Sequence, residues 1–136
     1  MVSEQDMQAF IEREFPQSRA ILEGYDGDSV IVRYPVTDKD LRPGGTVAGP
    51  VMMGLADTAL YIAILREIGL VALAVTTNLN TNFMRKPEAG KDLLAVCRLL
   101  KLGKALAVGE VTIYSEGQAE PVAHTTGTYS IPPNRN

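Results

Sequence analysis

From Val47 to Leu65 the chain reads VAGPVMMGLADTALYIAIL, nineteen residues with a single charge, Asp57. A helix that is apolar all round must be wrapped by other structure or by lipid. The stretch approaches membrane-spanning length. It holds Pro50, Gly54 and Asp57, however. The expectation is a helix at the centre of a globular domain, without membrane association. An ionised carboxylate in such surroundings is costly unless it is paired or its pKa shifts. A functional use is therefore expected of Asp57. The structural alternative is a carboxylate satisfied by local hydrogen bonds or by an opening to solvent.

The rest of the chain supplies the wrapping. Residues Ser3 to Phe15 carry Met7, Phe10 and Ile11 at helical spacing, with Ser3 as N-cap and Pro16 as the stop. Ala20–Tyr25 and Ser29–Val36 are expected strands around an Asp26-Gly27-Asp28 turn. Thr37–Thr46 is a loop broken by Pro43-Gly44-Gly45. The central helix is expected to begin at Pro50 and to stop at Gly69. Ala72–Met84, Asp92–Leu102, Lys104–Tyr114 and Pro121–Ile131 follow as strands, ahead of the polar tail PPNRN. The short turns between the strands after the helix suggest antiparallel neighbours. A sheet of this size and one apolar helix combine most simply when the sheet curls round the helix, an α+β arrangement. The 136 residues fit one domain, 1–136, with no repeat or composition break.

Composition removes several functions. Net charge is −3 and the pI about 5.1, which gives no general case for nucleic acid. One cysteine, Cys97, sits in the apolar run LLAVCRLL and reads as a packed core thiol; no intrachain disulfide is possible. The acidic N-terminus lacks a basic region followed by an apolar stretch, so no signal peptide is expected and the location is expected to be cytoplasmic. With one histidine and one cysteine, no metal-ligand cluster is expected. The sole histidine, His124, falls in the last strand and reads as structural; no motif supports a Ser-His-Asp triad.

The ordered combination G-T-V-A-G-P, Asp57, A-V-T-T-N-L-N-T-N-F-M-R-K-P and L-G-K-A-L-A resembles the PaaI-like branch of the hotdog-fold acyl-CoA thioesterases, over roughly residues 41–129. The resemblance implies a hotdog fold and hydrolysis of an acyl-CoA thioester. No cofactor is implied beyond the coenzyme A of the substrate. The family has a His-Gly-Gly triplet at the start of its central helix and an acidic residue nine positions after the His. Here the triplet is Ala48-Gly49-Pro50 and the acid is Asp57. By resemblance Asp57 is general base or nucleophile, and the Gly49 N–H binds the thioester oxygen. A helix N-terminus independently suits a developing oxyanion. Thr76 matches a Ser/Thr that holds the attacking water. Strict alternation leaves Thr77 open for this role if the face bearing Val75, Thr77 and Leu79 packs on the helix.

Asp57 and Gly49 lie about 12 Å apart along one helix at about 1.5 Å per residue. One subunit cannot easily bring both to one carbonyl. The family pairs two subunits, so a homodimer is expected, with a homotetramer as a dimer of dimers. Two positions depart from the family pattern: its His is Ala48, and its Asn six residues earlier is Arg42. Arg42 can pair with Asp57 across the interface, meet a substrate carboxylate, or stay solvated. From Arg85 to Lys104 six basic residues face two acidic ones. Arg85, Lys86 and Lys104 are the expected phosphate contacts for coenzyme A, against a reading as solvated turns. Hotdog dehydratases need a histidine near the helix start, where this chain has Ala48. The rival reading is an acyl-CoA or acyl-group binding protein without catalysis, on the same fold.

Overall fold

Ser3 caps the first helix as expected, its hydroxyl accepting the Asp6 N–H at 3.1 Å, in a computed structural model that describes residues 1–133. Helix α1 spans Glu4–Glu14 and buries Met7, Phe10 and Ile11. Strands β1 (Ile21–Asp26) and β2 (Ser29–Tyr34) pair antiparallel across a two-residue Gly27-Asp28 turn. Helix α2 spans Gly49–Ile68 and begins one residue before the expected Pro50. Gly69 ends it at φ 102°, a left-handed value that side chains disfavour. Strands β3 (Val75–Phe83), β4 (Leu93–Leu102), β5 (Leu106–Ser115) and β6 (Ala123–Ser130) follow. Of the polar tail, residues 134–136 lie outside the described residues. Among the described residues no helix is long and apolar enough to cross a membrane.

All six strands form one antiparallel sheet in the order β1-β2-β4-β5-β6-β3, curled round α2 as the hotdog fold requires. One expectation fails here. β3 and β4 are not a hairpin: β3 lies at the far edge beside β6, and β4 lies between β2 and β5. The segment between them runs across the strand ends, and its backbone polar groups are satisfied on the way. The Met84 and Arg85 N–H groups donate to the Val122 carbonyl, and the Glu88 N–H donates to the Ser115 hydroxyl. A short connection therefore did not mean adjacent strands.

Two glycines let the helix and the sheet approach closely. Gly109 and Gly127 are register partners on β5 and β6. A Cβ at Gly109 would lie 2.6 Å from Leu60 Cδ2, and one at Gly127 would lie 2.5 Å from Leu60 Cδ1. Leu60 of α2 thus fills a notch that only glycine leaves open. Around it Ile62, Ile64, Leu65, Val111 and Ile113 are fully buried or nearly so. Cys97 is fully buried, and burial, with nearby Glu110 adding to it, pushes its thiol up to about 12.

Candidate active site

Asp57 sits two turns into α2, on the stripe Pro50, Met53, Gly54, Asp57 and Thr58 that the chain's own sheet leaves least covered. It is half-buried, more open than its apolar sequence neighbours suggested. Two hydroxyls hold it. Thr76 Oγ1 donates to Asp57 Oδ1 at 2.6 Å, and the Tyr129 hydroxyl donates to the same oxygen at 2.7 Å. The Tyr129 oxygen also lies 3.0 Å from the Asp57 carbonyl. Among the described residues, nothing hydrogen-bonds Oδ2.

A β-bulge explains why Thr76, and not Thr77, makes this bond. Thr76 pairs with Tyr129 and Asn78 with Thr128, which leaves Thr77 as the extra residue. Strict alternation would put Thr76 on the face of Asn78, Asn80 and Asn82. The bulge breaks that alternation, so Thr76 turns inward beside Tyr129 while Thr77 Oγ1 donates to the Thr128 carbonyl.

Tyr129 was not among the residues singled out from sequence. The signal available was an alternating strand, Thr125, Gly127 and Tyr129 on its inner face, with a buried tyrosine whose hydroxyl needs a partner. Burial pushes the Tyr129 hydroxyl well above the ordinary tyrosine range; Thr76 opposes this and the Asp57 carboxylate adds to it. A cavity of about 360 Å³ opens beside Asp57, lined by Ile11, Phe15, Tyr61, Ile62, Ala74 and Tyr129. Phe10 stacks on Tyr61 at 6.4 Å between centroids and Phe15 meets it edge-on at 5.5 Å, so α1 forms one wall of this apolar space.

The start of α2 is a second locus. The Ala48 N–H donates to the Asp40 carbonyl, Pro50 has no N–H, and the Val51 N–H donates to the Ala48 carbonyl. The Gly49 N–H is left without a partner among the described residues, at the positive end of the helix dipole. Phe83, the last residue of β3, closes over it, and a Cβ at Gly49 would lie 3.2 Å from Phe83 Cζ. A cavity of about 400 Å³ joins Gly49 to Arg42, Met52, Phe83, Arg85 and Lys86.

The loop that presents Gly49 is anchored by Asp40, a buried carboxylate that sequence reasoning passed over. Asp40 accepts hydrogen bonds from Arg19 (2.6 Å), the Tyr34 hydroxyl (2.8 Å) and the Thr37 N–H (2.8 Å). Burial alone would push its carboxyl up. The three donors and the Arg19 charge outweigh that and hold it below the ordinary carboxylate range. Leu41 and Val47 form an isolated bridge, and Gly44 and Gly45, at φ 101° and 79°, make the turn between them.

The expected site residues thus fall into two groups within one chain. Asp57 and Thr76 meet at the first residues of β3. Gly49, Arg42, Arg85 and Lys86 gather at its last. Lys104 stands with neither group. It lies in the β4–β5 turn, two residues before Leu106, whose register partner Ser130 pairs in turn with Val75. That is the Asp57 end of β3, remote from Arg85 and Lys86. Arg98 is held by Glu110 at 2.7 Å, and Arg85 by Glu120 at 2.8 Å. His124 projects from the outer face of the sheet onto Glu110 at 3.0 Å, away from the side that carries Asp57.

The family model described as the thioesterase superfamily matches residues 44–122. A crystal structure of a Silicibacter protein assigned to the thioesterases is 47% identical, with a TM-score of 0.90, and the match covers 98% of this chain and 94% of that one. Mouse thioesterase superfamily member 2 is 19% identical, with a TM-score of 0.83, over 97% of this chain and all of that one. A Haemophilus influenzae thioesterase is 19% identical at a TM-score of 0.80, over 96% and 90%. Comparison with curated proteins returns no match. With its family model spanning more than half of its length and the same sheet wrapped around the same helix, the chain belongs to the thioesterase superfamily.

Proposed function

We propose that this chain hydrolyses an acyl-coenzyme A thioester at a site assembled from two copies of itself. Thioester hydrolysis is the reaction class that the family supports. The observation that carries the finer reading is Asp57, fixed by two hydroxyls beside an apolar cavity, with one carboxylate oxygen left unbonded. In this reading Asp57 takes a proton from water as the water attacks the thioester carbonyl, or attacks it directly. The oxyanion is held by the Gly49 N–H at the start of the second copy's α2. The carbon–sulfur bond then breaks. In the general-base route the proton held by Asp57 passes to the sulfur. After direct attack, water hydrolyses the acyl–Asp57 anhydride and supplies the sulfur's proton. Both routes release coenzyme A as the thiol and the free acid.

Geometry supports the second copy. β3 pairs only with β6, so its outer edge offers unpaired backbone groups. Antiparallel pairing of two such edges would lay the Thr76 end of one β3 beside the Phe83 end of the other. That brings each Asp57 to the partner's Gly49 and covers the open stripe of α2. The apolar cavity by Asp57 takes the acyl group. Arg42, Arg85 and Lys86 from one copy, and Lys104 from the other, meet the phosphates. Asn78, Asn80 and Asn82 face outward on β3, a polar surface for pairing two dimers.

A binding protein without catalysis is the second reading, favoured by Ala48 and Arg42 where the family has His and Asn. Mixing two inactive variants tests the shared site. Asp57→Asn keeps its Gly49, and Gly49→Val keeps its Asp57. After subunit exchange, hybrids should regain one intact site each. No recovery after proven exchange overturns the two-copy site.

A further inference from the structure

We propose that Tyr129 is a positioning residue for Asp57: together with Thr76 it confines the carboxylate's hydrogen bonds to Oδ1, so that Oδ2 is the oxygen presented to the reaction. This rests on the reading of Asp57 as the reacting carboxylate. Three observations lead to it. Both hydroxyls converge on one oxygen, at 2.6 and 2.7 Å, so the carboxylate is held against rotation by donors from two different strands. Those donors are register partners, Thr76↔Tyr129, placed side by side by the bulge at Thr77. Tyr129 is itself immobilised, at 3% exposure, with its ring against Tyr61 at 6.2 Å between centroids.

The chemistry of the donors suits this task. A carboxylate with an oxygen fixed by two hydrogen bonds has a defined direction for its remaining lone pairs. Neither donor carries charge, so neither competes with the anionic substrate or neutralises the base. Burial holds the Tyr129 hydroxyl protonated, so it donates throughout the pH range in which a carboxylate is ionised. Around Asp57 the other titratable groups are few. Tyr61 faces the cavity from its own helix, β3 contributes the uncharged Thr76, and α1 brings Glu14 toward Tyr61. Removing a donor from the ionised form of a carboxylate favours its protonated form.

The test is the pH dependence of kcat and kcat/KM for Tyr129→Phe, Thr76→Val and Asp57→Asn. Each is assayed with whichever of acetyl-, hexanoyl-, decanoyl- or benzoyl-coenzyme A the wild type turns over fastest. Folding is checked by circular dichroism. Tyr129→Phe keeps the ring and should fold. Its kcat should fall at least about tenfold with KM within twofold of wild type, because the hydroxyl is committed to Asp57 and the ring that lines the cavity is kept. Its acidic limb should move to higher pH, and that of Thr76→Val should move the same way. A purely structural tyrosine would leave the limb in place, so a folded Tyr129→Phe with an unmoved limb overturns the inference, whatever its turnover. Asp57→Asn separates the two levels. If it keeps full activity, the reading of Asp57 fails and this inference fails with it. If it is inactive while Tyr129→Phe matches wild type in turnover and limb, only the inference fails.

Discussion

Replacing Gly127 by alanine measures how closely α2 is seated on the sheet. The new methyl would lie 2.5 Å from Leu60 Cδ1 and 3.0 Å from Leu79 Cδ1. Ordinary carbon–carbon contacts are about 3.5–4.0 Å, so the overlap with Leu60 is about 1 Å. Leu60 is fully buried and cannot swing into solvent. Overpacking of this kind costs about 1–3 kcal/mol. Alanine also restricts the unfolded chain, which offsets about 0.4–1 kcal/mol. The expected net loss is about 1–2 kcal/mol. Leu60→Val removes both clashing Cδ atoms, at a cost of about 1 kcal/mol of its own. In that background only the 3.0 Å approach to Leu79 remains, so Gly127→Ala should cost less, a coupling of about 1 kcal/mol or more between the two sites. Urea unfolding of the four proteins reads it, at one fixed protein concentration because any self-association adds to apparent stability. Equal costs of Gly127→Ala in both backgrounds, or none in either, would refute the notch.

Three further outcomes are expected. Asp40 is held below the ordinary carboxylate range, so its contribution is present above that range and is lost as pH falls through its folded value. Asp40→Asn should cost about 1–3 kcal/mol at pH 7, and its urea midpoint should fall less than that of wild type between pH 7 and pH 3. A variant as acid-sensitive as the parent argues against this account. Cys97, buried and pushed up to about 12, should resist a thiol-specific reagent at pH 8 in the folded protein and react at once in denaturant; rapid labelling of the folded protein would contradict its placement. Alanine at Arg85, Lys86 and Lys104 should raise KM and flatten its dependence on salt with kcat little changed, and a truncated thioester without nucleotide phosphates should not feel these substitutions. Equal losses on both substrates would assign the three side chains to the fold.

What the sequence revealed depended on how local the signal was. The apolar run around Asp57, the Ser3 cap, the Asp26–Asp28 turn and the Gly69 stop are written within a few residues each, and all appear where expected. The pairing of β3 with β6 is not local. Nothing in the residues between β3 and β4 says that the chain passes two strand ends before rejoining the sheet. The bulge at Thr77 was hidden for a related reason. Alternation assumes an unbroken ladder, and one extra residue reverses every facing beyond it. Asp40 and Tyr129 were missed because each matters through a partner far along the chain: Arg19 for one, Asp57 and Thr76 for the other. Arg85 and Lys104 looked like one basic segment because sequence distance was short, yet a full strand length separates them.

The most direct measurement is the release of free thiol from a panel of acyl-coenzyme A esters by the wild-type protein and by folded Asp57→Asn. Turnover of at least one ester by the wild type is expected, with a loss of at least about a hundredfold in the variant, the scale of removing a general base. Full turnover by folded Asp57→Asn, or no turnover of any ester by the wild type, would contradict it.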